Sequence, residues 1–164
     1  MRRVVTGRDP AGRATVLVDG PPAAVFGISG EDADHLVIKS IPDIPGALPE
    51  RQTAVAELWA TANAPATRED PDLTENLETF RSMLPGTGFT WRYSKWGRRV
   101  ESGFHTTETL DLIFVVSGRI ELLLDDDQVV ALDAGDSVVI PGLRHAWRTG
   151  DAEPVLLQFM QNLA

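Results

Sequence analysis

The chain of 164 residues contains no cysteine, which excludes disulfides, thiolate nucleophiles and cysteine-ligated zinc. It has no apolar run approaching the roughly twenty residues that a membrane helix needs. The start, MRRVVTGRDPAGR, lacks an apolar core of the kind found in export signals. A soluble, cytoplasmic protein is therefore the expectation, with no membrane partner. Basic charge is scarce and almost all arginine, Lys39 and Lys95 being the only lysines. A formal net charge of -9 sets the chain against nucleic acid and anionic surfaces, which would be repelled at long range. Tyrosine occurs once, as Tyr93, and histidine three times.

What is present is a succession of short apolar runs. From Gly103 to Thr149 these are Leu110 to Val116, Ile120 to Leu124, Val129 to Leu132 and Val138 to Ile140. Turn signals separate them at Ser117-Gly118, Asp125-Asp126-Asp127, Ala134-Gly135-Asp136 and Pro141-Gly142. Short, regularly spaced strands predict an antiparallel barrel or sandwich. His105 opens this stretch and His145 nearly closes it, so a closed fold would join two residues forty apart in sequence.

Upstream, Ala14 to Val18, Ala23 to Ile28 and His35 to Ile38 read as strands, and the prolines of Ile41 to Pro49 enforce an irregular stretch. Thr53 to Ala64 fits either a helical stripe or alternation, and a strand is preferred. Asp72 to Leu84 is expected to be an amphipathic helix. Asp72 and Glu75 form a capping pair, Leu73, Leu77, Phe80 and Leu84 line one face, and Pro85-Gly86 stops it. Phe89 to Trp96 is a strand with large side chains on both faces, and Pro154 to Leu163 supplies the last one. A single domain follows, with residues 1–88 as N-terminal strands, loops and helix and residues 89–163 as the core barrel.

The order His105, Thr107, Asp111, Gly118, followed by Gly135-Asp136, Pro141-Gly142, His145 and Thr149, resembles the two motifs of the cupin superfamily, and most of all its small single-domain bacterial members. Thr107 stands where that family has a second His, Asp111 where it has Glu, and Thr149 where it has Asn. The resemblance covers the last third of the chain strongly and the first half weakly. It implies an all-β, cupin-type antiparallel β-barrel (jelly roll), with His105, Asp111 and His145 pointing into it. Two imidazoles and a carboxylate suffice to hold a divalent transition metal. Fe is the first choice, with Mn, Ni, Co or Zn as alternatives. Thr107, Trp147, Trp91 and Arg144 are the candidate substrate-binding residues. Trp147 lies two residues past His145 on the same face, and Arg144, with Arg92, Arg98 and Arg148, would bring positive charge to the barrel mouth. Trp91 either lines the pocket or fills the core. Tyr93 is the candidate general acid or base.

The function so implied is a metal-dependent enzyme acting on a small carbonyl-bearing or aromatic metabolite, as an oxygenase or as a lyase, decarboxylase or isomerase. The alternative is a non-catalytic small-molecule-binding module, in which the histidines are hydrogen-bonded pocket residues. A homodimer is expected because both faces of Leu110 to Val116 are apolar and one barrel interior can bury only one of them.

Overall fold

The computed structural model describes residues 1–30, 36–77 and 88–163. Twelve strands form in it: β1 Arg3–Arg8, β2 Ala14–Gly20, β3 Ala24–Ser29, β4 Val37–Ser40, β5 Gln52–Thr61, β6 Phe89–Trp96, β7 Thr109–Ser117, β8 Arg119–Leu123, β9 Val129–Asp133, β10 Ser137–Pro141, β11 Ala146–Arg148 and β12 Val155–Asn162. A seven-stranded sheet runs β10-β7-β12-β6-β5-β3-β4, a three-stranded sheet β11-β8-β9, and, among the described residues, β1 pairs only with β2. Every pairing is antiparallel. This is the all-β fold expected, consistent with a cupin-type jelly roll.

The two larger sheets close on an apolar core. Ile113 and Val115 of β7, Ile140 of β10 and Leu156 of β12 meet Ile120, Leu122, Leu132 and Trp147 of the smaller sheet. Alternation along β7 accounts for this, since Asp111, Ile113 and Val115 are buried while Leu112, Phe114 and Val116 are exposed. Gly118 turns the chain from one sheet to the other at φ +75°, and a Cβ there would lie 2.8 Å from Pro154 Cα. The position therefore demands glycine twice over, for its left-handed backbone and for its neighbour. Gly118→Ala is expected to lower stability by about 1–3 kcal/mol, read as a shift in the urea midpoint. An unchanged midpoint would mean that the turn relaxes freely.

The helix expected over Asp72 to Leu84 does not form in its described part. Residues 74–76 make one 3-10 turn, and Leu77 is already extended at φ -81°, ψ 114°. Residues 78–84, with Phe80, lie outside the described residues. The physical reason lies with Asp72, whose carboxylate accepts a hydrogen bond from the Thr74 amide and pairs with the buried Arg3. Arg3 also donates to Leu58 O and Thr74 Oγ1, so this corner ties β1 to β5. His35 likewise falls outside the described residues.

Candidate functional site

His105 and His145 form an antiparallel bridge, each amide donating to the other's carbonyl at 2.9 Å. Their ring centroids lie 4.5 Å apart. His105 Nδ1 sits 3.0 Å from Gly103 O, and His145 Nδ1 sits 2.8 Å from Leu143 O. A carbonyl only accepts, so each Nδ1 carries the proton and, in the neutral ring, each Nε2 keeps its lone pair. That is the tautomer a metal-ligating histidine adopts. Burial pushes the His145 imidazole below its ordinary value, the Leu143 carbonyl opposing and the charge on His105 adding, so His145 favours the neutral form.

Asp111 is buried on the inner face of β7, where Thr109 Oγ1 donates to it at 2.5 Å. Desolvation raises its carboxyl above the usual range, while the Thr109 bond and the charges of Arg92 and His105 pull it down. The folded chain therefore binds this proton more tightly than the unfolded chain. The stabilisation so gained is fully present below the unfolded value and is lost as pH rises through the raised native one. Asp111→Asn should accordingly be more stable than the parent near pH 7, and the difference should shrink towards pH 4. Urea midpoints of both proteins across that range test this, and an Asn variant weaker at neutral pH would contradict it.

A polar row that sequence reasoning missed crosses the sheet beside Asp111. Glu57 of β5 pairs in register with Arg92 of β6, and Arg92 with Gln158 of β12. Glu57 is fully buried, and its Oε1 receives Arg92 Nε at 2.8 Å and Nη2 at 2.5 Å. Gln158 accepts from Ser94, which accepts in turn from the Trp96 indole. The only sequence signal was a charged residue inside the otherwise apolar Val55 to Ala60. Among the described residues, Glu57 Oε2, Thr107 Oγ1 and Arg3 Nε are buried atoms without a hydrogen-bond partner.

Other expected site residues stand elsewhere. Tyr93 and Trp91 share the outer face of β6, opposite Arg92 and Ser94, and Trp91 is 45% exposed. The alternation is fixed by Arg92, which must turn inward to meet Glu57. Tyr93 is thus displaced from the role of acid or base at the histidines, and burial raises its hydroxyl from the ordinary value. Trp147 touches His145 edge-on, with ring centroids 5.9 Å apart, but is buried in the apolar core. Arg144 is held at the surface by Asp125 at 2.5 Å and lies over Phe104 at 4.1 Å. Two of the other arginines expected at a barrel mouth are drawn off, Arg92 to Glu57 inside the sheet and Arg148 to Glu121. Thr149 acts as a clamp, accepting from the Val100 amide and donating to Gly97 O.

Each of the two imidazoles thus keeps an Nε2 lone pair of the kind a divalent ion takes. Asp111 does not complete a set with them, for no group of three or more His, Asp or Glu among the described residues is placed to hold a metal ion.

Comparison with known proteins finds a family match over part of the chain. Residues 92–160, from β6 to β12, match the family described as cupin domain. Phomopsin biosynthesis cluster proteins C' and D of Diaporthe leptostromiformis are each 28% identical over 153 residues, covering 89% of this chain and 69% of theirs. Among solved structures, the polyketide cyclase RemF from Streptomyces resistomycificus is 17% identical, with a TM-score of 0.47 over 68% of this chain and 66% of that one. An RmlC-like cupin from Shewanella frigidimarina is 16% identical, with a TM-score of 0.46 over 73% of this chain and 80% of that one.

Proposed function

We propose, from the membership of the cupin superfamily that the match over residues 92–160 supports, that this chain is a metal-dependent enzyme acting on a small carbonyl-bearing or aromatic metabolite. The observation that carries the reading is the His105–His145 bridge, which commits both Nδ1 atoms to backbone carbonyls and leaves both Nε2 atoms to a ligand. A divalent ion bound there, Fe(II) first among the choices, would polarise a substrate oxygen as a Lewis acid, in an oxygenase or in a lyase, decarboxylase or isomerase.

The remaining work falls to this chain's own groups. Asp111, biased by burial towards its protonated form, can hold or return a proton at its carboxyl beside His105. Arg92 and Gln158 put polar groups on the inner face that orient a bound oxygen function, and the fully buried Glu57 holds Arg92 in place. Trp147 and the apolar core keep water from the far side.

The absence of a completed three-ligand group among the described residues favours, as a second reading, a small-molecule-binding module that performs no chemistry. Metal analysis of freshly purified protein, followed by reconstitution with Fe(II), Mn(II), Ni(II), Co(II) and Zn(II), separates the two. Near one ion per chain supports the enzyme. No retained ion with any of the five removes that reading and leaves the binding module.

A further inference from the structure

Along the inner face of the large sheet, burial changes in steps. Thr90 of β6 and Met160 and Asn162 of β12, in the rows of Asp111 and Thr109 at the end that leads to His105, are partly exposed. One row further in, Arg92 and Gln158 stand side by side at 9% exposure each. The row after that, Ser94 beside Leu156, is sealed at 1% and 0%. Access to the interior therefore runs from the histidine end and stops at Arg92 and Gln158, which form its floor.

The Gln158 amide is oriented from behind. The Trp96 indole can only donate, and it donates to Ser94 Oγ at 3.1 Å, so the Ser94 hydroxyl proton is left to donate onward to Gln158 Oε1, also at 3.1 Å. With Oε1 turned to the sealed row, Nε2 is turned away from it. Neither of its two protons has an acceptor among the described residues. Arg92 is committed differently, for the fully buried Glu57 receives its Nε and Nη2 and balances its charge. The floor thus offers an uncharged donor from Gln158 beside a guanidinium that is already neutralised.

We infer, on the reading of the barrel interior as the ligand site, that Gln158 is a specificity-determining residue whose Nε2 donates to an uncharged carbonyl oxygen of the substrate, and that Ser94 and Trp96 are positioning residues acting through it. A ketone or amide oxygen only accepts, so it satisfies the donor and requires nothing in return. A carboxylate would lose its water there with no unbalanced cation to meet it. Rows two residues apart along a strand are about 7 Å apart, so the carbonyl lies about 7 Å deeper than a group beside Asp111. The substrate therefore carries this carbonyl at the end remote from the group that meets Asp111 and the histidines.

The probes are acetophenone, α-methylstyrene, which has a methylene in place of the carbonyl oxygen, and benzoate. Each is titrated into isotope-labelled protein of measured metal content, with the Gln158 side-chain amide followed by nuclear magnetic resonance. Acetophenone should shift both Gln158 amide protons and bind at least about tenfold more tightly than either of the others. Gln158→Leu, close in size but without donors, should remove the preference over α-methylstyrene, and Ser94→Ala, which frees the amide to turn, should narrow it. If the leucine variant fails to fold, the amide shifts of the parent and the Ser94→Ala ratio decide. Equal affinities in the parent, a preference that survives Gln158→Leu, benzoate as the tightest ligand, or no binding of any of the three would each overturn the inference. A preference for acetophenone in protein that retains no ion would keep Gln158 in its role and remove the metal-dependent reading, whereas one ion per chain with no preference would do the reverse.

Discussion

His145→Ala is expected to lose the proposed divalent ion, and His105→Ala likewise, while both proteins still fold. Each imidazole offers Nε2 because Nδ1 is held by a carbonyl, so alanine removes a ligand that nothing nearby replaces. Affinity should fall at least about a hundredfold, since two protein nitrogens cannot be reduced to one without losing most of the binding. His145→Ala also opens a cavity at a buried site, which costs about 2–3 kcal/mol. The backbone bonds between residues 105 and 145 persist in both variants and hold the bridge. Acid should release the ion as the imidazoles take up protons. Because burial pushes His145 below its ordinary value, its neutral, ligating form survives to lower pH than a free histidine's, and the stability it contributes is lost as pH falls through that depressed value. Stoichiometry by plasma mass spectrometry, with circular dichroism on the same samples, gives the result. Full metal in either alanine variant would place the ion elsewhere. Thr107→His, which puts a third imidazole where Thr107 Oγ1 lacks a partner, should tighten binding.

Glu57→Ala carries the largest expected loss of stability. Arg92 stays buried in the sheet without the carboxylate that balances it, and breaking one side of such a pair costs about 3–5 kcal/mol. Replacing both members by apolar residues, as Glu57→Leu with Arg92→Met, should recover most of that loss, because a buried ion pair is little better than good apolar packing. Urea denaturation of the single and double variants tests this as a cycle. A double variant as weak as Glu57→Ala would mean that the pair itself stabilises the barrel.

The strands were legible where alternation or turn residues are strong. Phe89 to Trp96 has the boundaries read from the sequence, and the turns at Ser117-Gly118 and Asp125 to Asp127 fall between strands as expected. Arg3–Arg8 escaped notice because its arginines and Thr6 mask the two valines, although Asp9-Pro10-Ala11-Gly12 after it is a turn signal. Asp72 and Glu75 looked like a capping pair, but the Asp72 carboxylate is taken by Arg3, a partner sixty-nine residues away that no local pattern reveals. The same limit governs the site. His105 and His145 were legible as a pair, since two turn-bounded sets of strands had to bring them together. The parity of β6 was not, because Phe89, Trp91 and Tyr93 on one face and Trp96 on the other are all large. The register against Glu57 decides it, and a bulge between Glu57 and Trp59 then turns Trp59 outward. Trp91 and Tyr93 therefore stand on the face opposite Arg92 and Ser94.

The bridge between residues 105 and 145 has a bearing on what this position tolerates. Its frame is made by main-chain amides and carbonyls, which every residue except proline supplies in full. Side chains at these two positions are thus interchangeable in principle without dismantling the scaffold that presents them. Glutamate, glutamine or cysteine at either would be held at the same origin, pointing in the same initial direction. The pair is a ready mount for grafting other donor sets, on which hard and soft ions can be compared with the surrounding barrel held constant.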